Sequence, residues 1–219
     1  MITAQIATLP ERVDTLKLTV ASLINQVDMM FVALNGHEVI PRFLQNNRKI
    51  TYALMDNALG DGAKFSATFQ RKGYILTCDD DLVYPEGYAK LMIDGVKKHG
   101  GIVTVLGKQY RIRPVKSFRS GYTQLYSCLN AVRYDTDVDV VGTGVMAYHA
   151  DTINIDPGTF PRKNMADIWV AKLAHEQGIP LTVLAHPRGY VIYRKYPWRI
   201  WTSDHDDKYQ TEILNSFLK

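Results

Sequence analysis

Residues 74–78, Tyr-Ile-Leu-Thr-Cys, form a short apolar and β-branched run that passes without a spacer into Asp79, Asp80 and Asp81. Such a run reads as a buried strand, so three carboxylates stand at a strand tip. Two like charges ~4 Å apart repel by roughly 1 kcal/mol in water and roughly 4 kcal/mol at the effective dielectric of a protein surface. A cap for the helix expected from Pro85 accounts for one aspartate. Three ask for a cationic partner, and a divalent metal carrying an anionic ligand suits carboxylate oxygens.

The chain has 219 residues, 46% of them hydrophobic, enough to bury one good core. Against 22 acidic residues stand 26 basic ones, a formal charge of +4 that leaves no whole-molecule nucleic-acid footprint. Cys78 and Cys128 are far apart with no CxxC, which suggests neither a disulfide framework nor a zinc cluster. No apolar run is long enough to span a bilayer, and the N-terminus lacks a basic segment followed by a long apolar core. These features predict a soluble, cytoplasmic protein.

Residues 2–7 read as a first strand, and Thr8-Leu9-Pro10-Glu11-Arg12 turns into a helix whose Val13, Leu16, Val20, Leu23, Ile24 and Val27 share one face. Further strands are expected at 29–34 and 50–54, with a short polar helix around 39–46 between them. Strands alternating with helices predict a mostly parallel sheet with ligands at its carboxyl ends. After the third strand, Asp56-Asn57-Ala58-Leu59-Gly60-Asp61-Gly62-Ala63-Lys64 is a glycine-punctuated loop entering a helix expected to end near Lys72. Backbone amides at such a helix start favour anions.

Beyond the aspartates, a helix over 85–99 and a strand over 102–106 are expected, and the pattern then changes. Residues 107–120 hold Lys108, Arg111, Arg113, Lys116 and Arg119 with no acid, which reads either as a solvated flap or as a candidate lid that meets phosphates or an acidic acceptor. Asp135, Asp137 and Asp139 alternate as on a strand with one acidic face; without a following glycine and distal glutamate they are no calcium loop. Gly142 and Gly144, inside an apolar run, mark bulges or close ligand approach. Asp167 falls in the first turn of a late helix, where the helix dipole stabilises an acid.

In this order the features resemble glycosyltransferases of the GT-A fold, particularly bacterial family 2 enzymes and, around the triple aspartate, the exostosin-like transferases. The residues that carry the resemblance are Thr8-Leu9-Pro10-Glu11-Arg12, Asp56-Asn57, Asp79-Asp80-Asp81 and Asn164-Met165-Ala166-Asp167-Ile168. It implies an α/β fold with a mixed, mostly parallel sheet flanked by helices. Residues 1–190 would be a single catalytic domain, with a nucleotide-sugar half over 1–106 and an acceptor half over 107–190, followed by a tail and helix over 191–219. It also implies a nucleotide-diphosphate sugar donor, most often a UDP-sugar, and a Mn²⁺ or Mg²⁺ ion between its phosphates. By the same likeness Asp81 is the metal carboxylate of a DxD motif, Asp79 or Asp80 the one that faces ribose and donor sugar, Thr8 and Arg12 lie near the nucleotide, and Asp56 touches the base. Lys64, in the glycine-punctuated loop, joins the expected donor contacts. Asp167 would be the base that takes a proton from a glycan or lipid-linked acceptor.

In this sequence the acid pair of that late motif is Ala166-Asp167, a single carboxylate. A histidine from the C-terminal part would complete the metal shell: His186, directly after a strand, is the expected ligand and His205 the alternative. The aromatic and basic stretch 193–201 is a candidate for peripheral membrane or lipid contact, or for packing onto the core. Two further readings stay open. A nucleotidyltransferase would favour a glycine-rich, basic turn after the first strand, and a non-catalytic nucleotide-sugar-binding subunit would have lost its base.

Overall fold

The computed structural model describes residues 1–67, 72–194 and 206–218. Strand β1 (Ile2–Thr8) leads through a short 3-10 turn (Pro10–Arg12) into helix α1 (Val13–Leu23); β2 (Met29–Asn35), the four-residue α2 (Arg42–Gln45) and β3 (Ile50–Met55) follow. A 3-10 turn over Gly60–Ser66 and β4 (Tyr74–Cys78) complete this half. All four strands are parallel and stand in the order β3-β2-β1-β4. After β1 the chain therefore moves outward through β2 and β3, then returns to the other side of β1.

The second half adds β5 (Leu82–Val83), α3 (Tyr88–His99), β6 (Ile102–Thr104), β7 (Gly107–Gln109) and β8 (Gln124–Tyr126). Beyond these come β9 (Thr136–Asp137), β10 (Val140–Val141), β11 (Val145–His149), α4 (Ala166–Glu176), β12 (Leu181–Val183), β13 (Ile192–Tyr193) and α5 (Asp207–Phe217). The main sheet runs β3-β2-β1-β4-β11-β6-β12-β9, with β11 antiparallel to both neighbours and β12 parallel to β6. This is the mixed, mostly parallel α/β sheet that the sequence predicts.

Alternation along the strands sends side chains to two cores. Leu76 and Cys78 face a cluster with Leu16, Val20, Met92 and Val96 of α1 and α3; Ile75 faces the opposite cluster with Ile168 of α4 and Leu214 of α5. Burial at Leu16, Thr19, Val20 and Leu23 follows the helical period and fixes the face of α1 that packs. Lys49 Nζ donates to the carbonyls of Ile24 (3.1 Å) and Val27 (2.9 Å), satisfying the chain just past the end of α1. Gly100, at φ 70, ends α3 with its N–H on the Val96 carbonyl.

The structure corrects several element boundaries. The helix expected around 39–46 is the four-residue α2, and the one expected to run toward Lys72 is a 3-10 turn as far as Ser66. The acidic strand face at 135–139 does not form. Asp135 binds Lys98, His99 and the Ala185 N–H, while Asp139 accepts from the Tyr110 N–H and pairs with Arg113. The C-terminal segment is no appendage in the fold: β13 pairs with β5, and Leu214 and Leu218 of α5 are 0% and 5% exposed.

Candidate functional site

The site forms where the strand order turns back on itself, between β1 and β4, at the carboxyl ends of both. In open α/β sheets this crevice is where ligands bind, because the connections diverge to opposite sides and leave a gap. The turn after β1 delivers Arg12 and the turn after β4 delivers the aspartates. Arg12 Nη1 lies 2.7 Å from Asp80 Oδ1 and 3.3 Å from Asp81 Oδ2, and the Arg12 side chain is 9% exposed. Thr8, at the end of β1, also acts on Asp80 and favours its charged form.

Burial of Arg12 acts to lower its pKa, but Asp80, followed by Asp81 and Asp79, outweighs it and leaves the group raised. Burial likewise pushes Asp80 up, with Arg12 and Thr8 pulling back. Asp81 is pushed up to about 7, first by burial and then by Asp79 and Asp80. The trio thus carries more negative charge than Arg12 and Lys64 relieve, and Asp80 Oδ2 is buried with no hydrogen-bond partner. An all-oxygen set with surplus charge suits a hard divalent cation.

Lys64, 2% exposed, comes from the 3-10 turn after β3 and reaches Asp79 Oδ1 at 2.6 Å. Its burial acts to lower the pKa, yet Asp79 and Asp61 hold the ammonium raised. Asp79 is fixed from the other side too. Its N–H donates to the Gly144 carbonyl (3.0 Å) and the Tyr84 hydroxyl (2.9 Å), and that hydroxyl donates to the Gly144 carbonyl at 2.6 Å. A Cβ on Gly144 would stand 1.9 Å from Asp79 Oδ2, so the glycine is there to let the carboxylate pass. The close approach expected from the glycines of this run is an approach of the protein to its own carboxylate.

Asp167 opens α4 and turns Oδ1 toward Thr143, accepting from its N–H at 2.8 Å and its hydroxyl at 2.7 Å. Thr143 is the residue before Gly144, so Asp167 and Asp79 meet the same short segment. Asp61, one residue past Gly60, accepts from the Ala166 N–H at 3.1 Å. Asp61, Thr143, Tyr84 and Asn164 are not read as site residues from sequence; the glycines flanking Asp61 and Thr143, and the late motif that holds Asn164, are the local signals.

Two expected contacts fall elsewhere. His186 is 6% exposed, with Nδ1 2.7 Å from the Leu184 carbonyl and Nε2 3.3 Å from the Ser127 carbonyl, so its ring is held against backbone in this arrangement. Asp56 is exposed and accepts from the Ala58 N–H at 2.9 Å, which makes it a turn residue in this arrangement. His205 and residues 195–201 of the aromatic stretch lie outside the described residues. Among the described residues no group of three His, Cys, Asp or Glu side chains is already set to hold a metal, and no helix is long and apolar enough to cross a membrane. An open cavity of about 480 Å³ lies beside the turn after β1, between Pro10, Val13 and residues 36–39 and 41.

The sequence matches no protein-family model and no curated protein. Solved structures do match. One is residues 1–349 of S. aureus TarS in complex with UDP-GlcNAc, at TM-score 0.65 and 14% identity over 99% of this chain and 71% of that one. Another is the 4-diphosphocytidyl-2C-methyl-D-erythritol synthase of Anaerococcus prevotii, at TM-score 0.57 and 13% identity over 100% and 98%. At these identities the likeness establishes the fold and leaves the chemistry to the site.

Proposed function

We propose that the chain is a metal-dependent glycosyltransferase that takes a nucleotide-diphosphate sugar, a UDP-sugar by preference, and passes the sugar to a hydroxyl of a glycan or lipid-linked acceptor in surface-polysaccharide assembly. The observation that carries this reading is the convergence of Arg12, Lys64 and three aspartates on the switch point of the sheet, with a fourth carboxylate, Asp167, bonded to Thr143 next to Gly144. The complex of the TarS structure with UDP-GlcNAc supports the donor class.

Asp81, together with Asp79 or Asp80, would hold Mn²⁺ or Mg²⁺, which when bound neutralises charge on the departing diphosphate. Arg12 and Lys64, already cationic and buried, hold the aspartates in place and offer charge to the phosphates. Asp167 has one oxygen fixed by Thr143, which leaves Oδ2 to accept a proton from an acceptor hydroxyl. With Asp167 as base, displacement inverts the anomeric carbon.

Calorimetry with UDP and UDP-GlcNAc, in Mn²⁺ and then in chelator, tests the reading. Wild type binds UDP only with metal, and Asp81→Asn loses that binding while melting normally. Equal binding by Asp81→Asn, or none by the wild type, rejects it. Because the second structural match is a diphosphocytidyl synthase, pyrophosphate release from CTP or UTP is the outcome that would favour a nucleotidyltransferase instead.

A further inference from the structure

Two loops far apart in sequence interlock beside Asp167. The Asp61 N–H donates to Asn164 Oδ1 at 3.2 Å, and the Ala166 N–H donates to Asp61 Oδ2 at 3.1 Å. Asn164 sits at φ 60 and Gly60 at φ 54, and a Cβ on Gly60 would stand 2.2 Å from Asn164 Oδ1. Asn35 Nδ2, at the end of β2, donates to the Gly60 carbonyl at 2.9 Å and ties the same loop to the sheet. Met165, at the N-cap of α4, supplies no side-chain cap. The first N–H of the helix is therefore satisfied from the other half of the molecule.

We propose that Asp61 is a positioning residue, which from the loop after β3 fixes the amino-terminal turn of α4 and with it the direction in which Asp167 faces the cleft. What that direction serves rests on the transferase reading above. Three independent observations support the role. Ala166, the donor of this bond, immediately precedes Asp167. Asp61 also shares the buried Lys64 with Asp79, so the donor-side carboxylates and the start of α4 belong to one charged chain. Finally, Asp61 Oδ1 is sealed from solvent without a hydrogen-bond partner, a cost that a surface cap would avoid by facing water. Burial pushes this carboxyl up to about 6, with Lys64 and the Ala166 N–H pulling back and Asp167 and Asp79 adding to the rise.

The test is amide and carboxyl NMR on the wild type, Asp61→Ala and Asp61→Asn, with UDP and Mn²⁺ calorimetry on the same samples. In Asp61→Ala the Ala166 amide proton moves upfield, and the Thr143 amide and Asp167 carboxyl resonances move with it. Asp61→Asn, whose side-chain oxygen can accept the same bond, restores all three. If Ala166 moves alone, Asp61 is a local cap and the proposal fails. Should Asp61→Ala not fold, Gly60→Ala keeps the carboxylate but drives a methyl into Asn164; the same three resonances must shift, and their staying put overturns the proposal. A tenfold loss of UDP affinity in Asp61→Asn with all three resonances restored would put Asp61 on the donor and equally overturn its positioning role. A wild type that binds no UDP would sink the transferase reading and leave the resonances alone to decide on Asp61.

Discussion

Gly144 shows how much of this site depends on single side chains, or on the lack of one. Its backbone needs no left-handed conformation, but an added methyl would overlap the Asp79 carboxylate. Gly144→Ala is therefore expected to cost about 1–3 kcal/mol by overpacking and to pull Asp79 from Lys64, weakening UDP binding in parallel. Gly36→Ala is the contrast: φ is 68 but nothing lies within 4 Å, so only backbone strain of about 1 kcal/mol is expected. Urea denaturation separates the two. Asp61 offers a pH test at the same scale. Its carboxyl, ordinarily at 3.8, is held at about 6 among Lys64, Asp79 and Asp167, so between those values the folded chain binds more protons than the unfolded one. Stability then falls as pH rises through this window. Relative to Asp61→Asn, the wild type should lose roughly 2–3 kcal/mol between pH ~4 and ~7; a flat difference in urea melts across that range would show that the carboxyl titrates normally.

Helix α5 decides what the basic loop can be. Asp207, Thr211 and Asn215 recur at four-residue spacing along one stripe, and each holds loop backbone. Asn215 pairs with both the N–H and the carbonyl of Val115 at 2.8 Å, Thr211 Oγ1 accepts from Phe118 N–H at 2.8 Å, and Asp207 accepts from Arg119 N–H at 2.8 Å. The loop expected as a lid is clasped in this structure, with Lys108 over the Phe118 ring at 3.9 Å. Asn215→Ala leaves the Val115 N–H and carbonyl without partners, at a cost of about 1–3 kcal/mol. It should speed amide exchange through 113–121 while exchange in β1 and β4 stays as slow as in the wild type. Sequence could not show this clasp, because its bonds join side chains to backbone about a hundred residues away. The same reason hid Asp61, whose partner Ala166 is 105 residues away. What sequence does carry is local: the apolar, β-branched run into Asp79, the 3.6-residue period of α1, and Gly100 after α3 all appear where the pattern places them. His186 marks the limit of such reading. A histidine after a strand has the right position for a ligand, and only the tertiary fold shows its ring lying between the Leu184 and Ser127 carbonyls.

At the scale of the whole molecule, the switch point needs both cores and the C-terminal segment. β13 pairs with β5 directly after the triple aspartate, and the Arg194 N–H donates to the Asp81 carbonyl at 2.8 Å, so the segment after 190 helps set the turn that carries Asp81. α5 covers α4 on the opposite face, with Trp169 against Tyr209 and His175 against Phe217. Stability and site geometry should therefore separate. Leu214→Ala, emptying a fully buried position, is expected to cost about 2–5 kcal/mol while leaving UDP affinity of the folded fraction unchanged. A chain ended at residue 190 loses both α5 and the β13–β5 pair, so it should melt lower than Leu214→Ala and also bind UDP more weakly wherever it remains folded. Thermal melts and calorimetry on the two variants check the pair of expectations. Should the shortened chain melt and bind like the full one, residues 191–219 would be an appendage, and the support they give to the Asp81 turn would be incidental to the site.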